Sequence, residues 1–183
     1  MLTLLLGGAR SGKSTLAERL GAASGMPVSF IATATADDDD MRARIARHVA
    51  DRPANWQTIE APLALADAIS SVPADRCLII DCLTLWTSNL LLDGWQALDI
   101  ETQSRNVAAM AAARVAPTIV VSNEVGMSIH PRSTLGMVYR DLHGRSNSAW
   151  AAVADRAFLV VAGRAICLEP TREALPELRG LET

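Results

Sequence analysis

Short apolar runs alternate with longer amphipathic segments along most of the chain. Apolar runs of four to six residues are typical of buried strands, and amphipathic segments of ten or more residues are typical of helices that cover a sheet. The pattern therefore predicts an α/β fold, with a mainly parallel sheet and helices on both of its faces. The predicted strands are residues 2–6, 28–33, 58–60, 77–81, 118–122, 158–162 and 166–169.

The amphipathic segments predict helices over residues 13–22, 38–50, 63–71, 83–92, 99–114 and 133–154. In the last of these, five apolar residues share roughly one face, which we expect to pack on the protein: Leu135, Val138, Leu142, Ala149 and Val153. Gly163-Arg164 separates the last two strands and predicts a hairpin, hence an antiparallel edge of the sheet. Residues 170–183 are expected to form a short helix or a frayed tail.

The size and charge of the chain narrow the classes of protein it can belong to. Its 183 residues, 50% of them hydrophobic, are enough for one sizeable core and short for two. We therefore expect residues 1–183 to form a single domain. The formal net charge of -3, without a concentrated basic face, argues against a nucleic-acid-binding protein.

The cysteines and the apolar runs bear on the compartment. Cys77, Cys82 and Cys167 are odd in number and lie in apolar surroundings, so we expect three reduced core thiols. We expect neither a membrane span nor a signal peptide, because the apolar runs are short and no basic region precedes the first of them. These features together predict a cytoplasmic protein.

A phosphate-binding loop follows the first predicted strand and opens the first predicted helix. Its residues are Gly7, Gly8, Ala9, Arg10, Ser11, Gly12, Lys13 and Ser14. Backbone N–H groups of such a loop cradle phosphates, Lys13 reaches the β- and γ-phosphates, and the Ser14 hydroxyl binds Mg²⁺. A plain glycine-rich turn accounts for the glycines but not for Lys13-Ser14. The loop therefore predicts a protein that binds a nucleoside triphosphate, ATP or GTP, with Mg²⁺.

Two acidic residues lie at the carboxyl ends of predicted strands, where ligands of open α/β sheets gather. Asp81 ends the apolar run 77–81 and supplies the carboxylate that Mg²⁺ needs at the end of a neighbouring strand. Alternatively, it caps the helix that follows. Glu124 comes just after another apolar run and is either a catalytic base or a structural anchor for the turn, which the sequence does not separate.

His48 lies near the end of the predicted helix 38–50. Its structural interpretation is a solvent-facing histidine near a helix C-terminus, where a cation is favoured. Its functional interpretation is a neutral imidazole that attacks a phosphorus atom, with Arg44, Arg47 and Arg52 offsetting the charge of the triphosphate. Helical periodicity alone favours the first.

The motifs occur in an order that matches one family along nearly the whole chain. The matching segments are residues 7–14, 31–33, 41–48, 52–53, 56, 60, 81–84, 89–91, 123–127, 131 and 140–147. Asn-Glu-Val-Gly at 123–126, followed by Arg-Asp-x-x-Gly-Arg-x-Asn at 140–147, is the most specific pair. The sequence resembles the bifunctional adenosylcobinamide kinase and adenosylcobinamide-phosphate guanylyltransferase family of cobalamin biosynthesis.

That resemblance implies two reactions and a set of site residues. A nucleoside triphosphate would phosphorylate adenosylcobinamide, and GTP would then transfer GMP to adenosylcobinamide phosphate through a guanylylated histidine, which His48 matches. Lys13 would share the catalytic role, and Ser14 and Asp81 would hold magnesium. The remaining nucleotide contacts implied outside the phosphate-binding loop are Ala32, Thr33, Ala34, Val49, Ala50, Asp51, Arg52, Glu60 and Asp81. The resemblance also implies a homotrimer with active sites between subunits.

Some positions depart from the family pattern or stay open. Ser148 stands where the family has glutamine, and Arg47 precedes His48 where some members carry a second histidine. His130 and His143 are interpreted as structural or substrate-edge residues. Trp86 and Trp95 are candidate interface or corrinoid contacts, with a buried core position expected for at least one of them.

Two other functions would use the same loop differently. A small-molecule kinase with a single activity would use the loop, Asp81 and Glu124 but leave His48 idle. A non-enzymatic nucleotide-binding module, or an ATPase of the strand-exchange type, would need basic or aromatic DNA-contacting loops. Only 4% of the chain is aromatic, which argues against that module.

Overall fold

The computed structural model describes residues 1–35, 42 and 52–170 of the chain. Its strands are β1 (Leu2–Leu6), β2 (Val28–Ala32), β3 (Gln57–Glu60), β4 (Cys77–Asp81), β5 (Thr118–Val121), β6 (Arg156–Val161) and β7 (Arg164–Leu168). Its helices are α1 (Lys13–Ala23), α2 (Leu65–Ser71), α3 (Leu83–Leu92), α4 (Ala97–Ala112) and α5 (Thr134–Val153).

The strands of the described residues form a seven-stranded sheet in the order β3-β2-β4-β5-β1-β6-β7. The pairs from β3 through β6 are parallel, while β7 pairs antiparallel with β6. Parallel strands place their carboxyl ends at one edge of the sheet, so the loops after β1, β2, β3, β4 and β5 meet there. The predicted fold class is confirmed, including its antiparallel edge.

The core lies on both faces of the sheet because successive strand residues point to opposite sides. Leu78 and Ile80 of β4 join the larger apolar cluster, which packs against α2, α3, α4 and α5. Cys77 and Ile79 join the smaller cluster, which packs against α1. The near-continuous apolar strands thus reflect burial on both sides.

The predicted element bounds agree closely with the described elements. The bounds of β1, β4 and α3 are confirmed residue for residue, and the other described elements differ by up to two residues at either end. The hairpin turn was predicted at Gly163-Arg164, but it consists of Ala162 and Gly163, both with positive φ, and Arg164 already belongs to β7. Two consecutive positive φ values suit the right-handed twist of the paired strands.

The predicted packing face of the last helix is wrong for most of its members. Leu135, Val138 and Val153 are exposed, whereas the buried side of α5 carries Leu142 and Trp150 together with polar residues. That polar side forms hydrogen bonds to α3, to α4 and to the segment after β5, which a purely apolar pattern does not reveal.

The cysteine and tryptophan expectations are partly confirmed. Cys77 and Cys82 are buried and free, and burial raises the pKa of both thiols. Cys167 is free but exposed on the edge strand β7, so its predicted core position is wrong. Trp86 is fully buried, and its ring nitrogen donates to the carbonyl oxygen of Leu63, while Trp95 is partly exposed.

Several predictions lie outside the described residues. Of the predicted helix 38–50, the structure describes Arg42, which is helical and exposed. His48 and the neighbouring predicted residues Val49, Ala50 and Asp51 are not described, nor are residues 171–183 of the predicted tail. Within the described ranges, we find no helix with the length and apolar character needed to cross a membrane.

Candidate active site at the carboxyl edge of the sheet

The loop between β1 and α1 has the backbone of a phosphate cradle. Gly7 and Gly12 have φ values of 149° and 100°, which side chains rarely adopt. A Cβ atom on Gly7 would overlap the carbonyl oxygen of Val160. The β6–β7 turn also contacts the loop, since the N–H of Gly163 donates to the carbonyl oxygen of Ser11 at 2.8 Å. Glycine at position 7 is thus required by both its torsion angle and a close backbone approach.

Lys13 lies inside the curl of the loop and is 6% exposed. Its Nζ atom donates to the carbonyl oxygens of Gly7 at 2.9 Å and Gly8 at 2.7 Å, and it lies 3.3 Å from Ser11 Oγ. Ser14 follows in the first turn of α1, half-buried, where the helix dipole favours an anion. A cation therefore lies within the loop that leads into a helix N-terminus, as phosphate binding requires.

The ends of β3, β2 and β4 bring three predicted site residues into one row. Ala32 pairs with Glu60 on one side and with Asp81 on the other. Next to this row, the Thr33 hydroxyl donates to the carbonyl oxygen of Cys82 at 2.7 Å and accepts from its N–H at 2.8 Å. Thr33 is fully buried, and these two hydrogen bonds join the end of β2 to the end of β4.

Arg52 packs against Phe30 of β2, two residues before this row. Its guanidinium carbon lies 3.5 Å from the centre of the Phe30 ring, a cation–π contact. Burial lowers the pKa of Arg52, and the nearby carboxylates of Asp81 and Glu18 partly offset that effect. The side chain therefore brings positive charge close to Asp81.

The position of Asp81 departs from the prediction in one respect. We expected the magnesium carboxylate on a strand next to the one that precedes the loop. In the sheet, β5 lies between β4 and β1. The acidic residue that follows the strand adjacent to β1 is instead Glu124, three residues after the end of β5, and its N–H donates to the carbonyl oxygen of Gly7 at 3.1 Å.

Beside Glu124 lies an open cavity of about 400 Å³. One wall is the phosphate-binding loop, the second is the segment after β5, and the third is β6. The lining residues are Gly8, Ala9, Asn123, Glu124, Val125, Met127, Ser128, Leu159 and Val161. The cavity is thus apolar apart from a few groups, of which the Glu124 carboxylate is the charged one among the described residues.

Behind this cavity, buried polar groups hold Asn123 in place. His143 Nε2 lies 3.0 Å from the carbonyl oxygen of Asn123, which only accepts, so this nitrogen carries the proton. Asn147 donates to the same oxygen at 3.0 Å, and the N–H of Asn123 donates to Thr84 Oγ1 at 2.7 Å. Burial lowers the pKa of His143 to about 4, so the ring is neutral near pH 7.

Sequence reasoning missed the cavity and this polar cluster. The loop Gly7–Ser14, Ala32–Ala34, Glu60 and Asp81 were expected at one site, and they do lie along one edge of the sheet. Asn123-Glu124 at a strand end was the one available signal for the cavity. No local pattern indicates that Leu159 and Val161 of β6 would face it, because that depends on β6 pairing with β1. Within the described residues, no cluster of three or more His, Cys, Asp and Glu side chains is arranged to hold a metal by itself.

The fold and the loop define the class of protein. A strand that runs into Gly7–Ser14, in a mainly parallel sheet with helices on both faces, is the architecture of a P-loop nucleoside triphosphate-binding protein. The family model described as "Cobinamide kinase / cobinamide phosphate guanyltransferase" matches residues 3–168. The chain belongs to this family and is an enzyme with these kinase and guanyltransferase activities.

Curated relatives agree with that membership. The chain is 49% identical over 165 residues to the bifunctional adenosylcobalamin biosynthesis protein CobP of Pseudomonas aeruginosa, covering 89% of this chain and 94% of the relative. It is 37% identical over 176 residues to the bifunctional adenosylcobalamin biosynthesis protein CobU of Escherichia coli, covering 89% and 97%. Among solved structures, the assembled ATPase EscN of the enteropathogenic E. coli type III secretion system matches with a TM-score of 0.53 at 12% identity. That match covers 88% of this chain and 43% of EscN, and it bears on the fold alone.

Proposed function

We propose that one nucleotide site serves both reactions of this enzyme. A nucleoside triphosphate bound at Gly7–Ser14 phosphorylates the aminopropanol hydroxyl of adenosylcobinamide. GTP bound at the same loop then transfers GMP to adenosylcobinamide phosphate by way of His48, which gives adenosylcobinamide-GDP. The observation that carries the proposal is the loop itself, which holds the Lys13 ammonium and leads into the N-terminus of α1.

The nucleotide contacts that we propose extend along the carboxyl edge of the sheet. Their support is the row formed by Ala32, Glu60 and Asp81 at the ends of three adjacent strands. The Thr33 hydroxyl is hydrogen-bonded to the backbone of Cys82. Thr33 would therefore contribute to the nucleotide site by its position and not through this hydroxyl. The full set outside the phosphate-binding loop is Ala32, Thr33, Ala34, Val49, Ala50, Asp51, Arg52, Glu60 and Asp81.

Mg²⁺ is the metal that we propose for this site. The Ser14 hydroxyl and the Asp81 carboxylate are hard oxygen donors, which Mg²⁺ prefers, and nucleotide phosphates supply further oxygens. The ion would offset phosphate charge during transfer. We also propose that the enzyme is cytoplasmic, from its cysteines and short apolar runs, and that it forms a homotrimer, from the family resemblance.

Covalent catalysis by His48 is the proposed route for the second reaction. A neutral imidazole attacks the α-phosphorus of GTP and pyrophosphate leaves. The corrinoid phosphate then attacks the same phosphorus atom and releases the histidine. Two displacements let a single nucleotide site serve both halves of the transfer.

Label transfer from GTP tests the covalent route. We expect purified protein to retain label from α-labelled GTP and none from γ-labelled GTP, in a bond that is stable to base and labile to acid. His48→Ala should reduce the α-label to background, whereas His130→Ala, which removes an exposed histidine, should retain it. The absence of α-label on the wild-type protein, with GTP still bound, would contradict the route and favour the single-activity kinase.

Asp81→Asn tests the proposed magnesium site. Loss of the carboxylate should lower the apparent Mg²⁺ affinity of the phosphorylation reaction by about 10- to 100-fold, because a charged ligand becomes neutral. Activity is measured as a function of Mg²⁺ concentration. Asp75→Asn is the matched control, since Asp75 is exposed and precedes β4 at the opposite edge of the sheet. An unchanged Mg²⁺ dependence in Asp81→Asn would rule out direct coordination.

A further inference from the structure

We propose that the cavity beside Glu124 receives the hydroxyl-bearing arm of the phosphoryl acceptor, and that the Glu124 carboxylate takes the proton of that hydroxyl. The acceptor is a primary or secondary alcohol carried on a large, partly apolar molecule. This inference rests on the proposed kinase reaction and adds to it a place for the acceptor and a catalytic base.

The phosphate-binding loop and the cavity share a wall. Gly8 and Ala9 belong to the phosphate-binding loop and also line the cavity. The carbonyl oxygen of Gly7 accepts from Lys13 Nζ at 2.9 Å and from the N–H of Glu124 at 3.1 Å. One backbone oxygen therefore joins the Lys13 ammonium to the backbone of Glu124, the residue whose side chain lines the cavity. An alcohol in the cavity would lie beside the phosphates.

The contacts of the Glu124 carboxylate also support a role as a base. Its Oε1 atom accepts from the N–H of Gly126 at 3.0 Å, which orients the side chain within its own turn. No described residue donates to the second oxygen, and the side chain is half-buried in the cavity wall. A purely structural anchor accounts for the first contact but leaves the second oxygen facing the cavity. That oxygen is available to a substrate hydroxyl.

The cavity and the proposed nucleotide contacts lie on different sides of the loop. The cavity lies between the exits of β5 and β6, above β1. The proposed nucleotide contacts Ala32, Glu60 and Asp81 lie across β5, at the exits of β2, β3 and β4. The two regions flank the loop from opposite sides. A phosphoryl donor and an acceptor need this arrangement if the incoming oxygen and the leaving oxygen are to be in line.

The chemistry of the cavity walls and the size of the cavity also fit such an acceptor. Val125, Met127, Leu159 and Val161 supply apolar surface, and Met127 and Val161 are 77% and 53% exposed at the mouth. A cavity of about 400 Å³ holds an alcohol arm but not a corrin macrocycle. The arm therefore enters while the apolar edge of the ring rests against the exposed side chains.

The proposed step is balanced without a further reactant. The acceptor oxygen forms a bond to the γ-phosphorus, and the bond from that phosphorus to the β-bridging oxygen breaks. The nucleoside diphosphate leaves with the bond electrons. The hydroxyl proton passes to the free oxygen of Glu124 and then to solvent.

Glu124→Gln tests the base, because the amide oxygen can still accept from Gly126 while the carboxylate is lost. We expect kcat for adenosylcobinamide phosphorylation to fall by about 10²- to 10⁴-fold, with the KM for adenosylcobinamide within about 3-fold of wild type. Labelling of the protein by α-labelled GTP serves as the second readout, since it needs no acceptor hydroxyl, and should change by less than about 3-fold. Glu124→Asp should recover part of the lost kcat.

Val161→Trp tests the cavity by filling its mouth. We expect the KM for adenosylcobinamide to rise by at least about 10-fold, while the dissociation constant of the nucleotide changes by less than about 2-fold. Val115→Trp is the matched control, since Val115 is an exposed valine before β5, at the opposite edge of the sheet. It should leave both quantities unchanged.

Three results would overturn the inference. A kcat of Glu124→Gln within about 3-fold of wild type would exclude the base. Equal losses of phosphorylation and of GTP labelling would mean that Glu124 acts on the nucleotide site. Weaker nucleotide binding by Val161→Trp would assign the cavity to the nucleotide. A wild-type protein that phosphorylates no corrinoid would instead contradict the proposed function, before any variant is compared.

Discussion

Replacement of Gly7 by alanine should abolish nucleotide binding and lower the free energy of unfolding by roughly 3 kcal/mol. The φ of 149° at this position is unfavourable for a residue with a side chain, and the added Cβ would overlap the carbonyl oxygen of Val160. Because both obstacles are backbone groups, neither is relieved by a change of rotamer. Either β6 or the loop has to move.

The movement would affect both sides of the loop. The carbonyl oxygen of Gly7 accepts from Lys13 Nζ and from the N–H of Glu124, so its displacement disturbs the phosphate side and the cavity side together. Phosphorylation and GTP labelling should therefore fall in parallel. GTP binding is measured by calorimetric titration, and stability by denaturant unfolding.

Gly8→Ala is the matched control for this prediction. Gly8 is the next residue of the same loop, but a Cβ placed there meets no atom within 4 Å. Its substitution should change the free energy of unfolding by less than about 1 kcal/mol. Equal effects of the two substitutions would show that the loop rejects any side chain, and that the close approach of Val160 is not the cause.

Acidification should destabilise the protein through His143 by roughly 3 kcal/mol between about pH 6.5 and pH 4. Burial lowers the pKa of the folded His143 to about 4, whereas an unfolded histidine titrates near 6.5. In this interval the unfolded chain binds a proton that the folded chain does not. The contribution is fully present above pH 6.5 and is lost as the pH falls towards 4.

His143→Gln isolates this contribution, because glutamine donates a hydrogen bond but does not titrate in this range. Denaturant unfolding at pH 7.5 and at pH 5 should show a smaller loss of stability on acidification in His143→Gln than in wild type. Its stability at pH 7.5 should be lower by about 1 kcal/mol, since the bond to Asn123 is imperfectly replaced. His130→Gln removes an exposed histidine and is the control. An identical pH dependence in His143→Gln and wild type would contradict the assignment.

The local features of this protein could be predicted because their signals are local. Gly7–Ser14 carries its own backbone and charge requirements. Turn residues follow β1 at Gly7 and α3 at Asp93-Gly94, and Asp81 ends the apolar run of β4. The predicted helical face with Leu135 and Val138 was wrong because periodicity reports apolar spacing. It does not report whether polar groups such as His143 find buried partners on a neighbouring element.

The class of fold, the phosphate-binding loop and the family could thus be inferred from the amino-acid sequence alone. Only the tertiary contacts show which strand ends meet. They place β5 between β4 and β1, Glu124 rather than Asp81 after the strand beside β1, and Leu159 and Val161 of β6 across the cavity. They also distinguish Gly7 from Gly8, and buried Cys77 from exposed Cys167. The physical reason is that these properties depend on pairing between strands far apart in the chain. Local composition and periodicity carry no information about such partners.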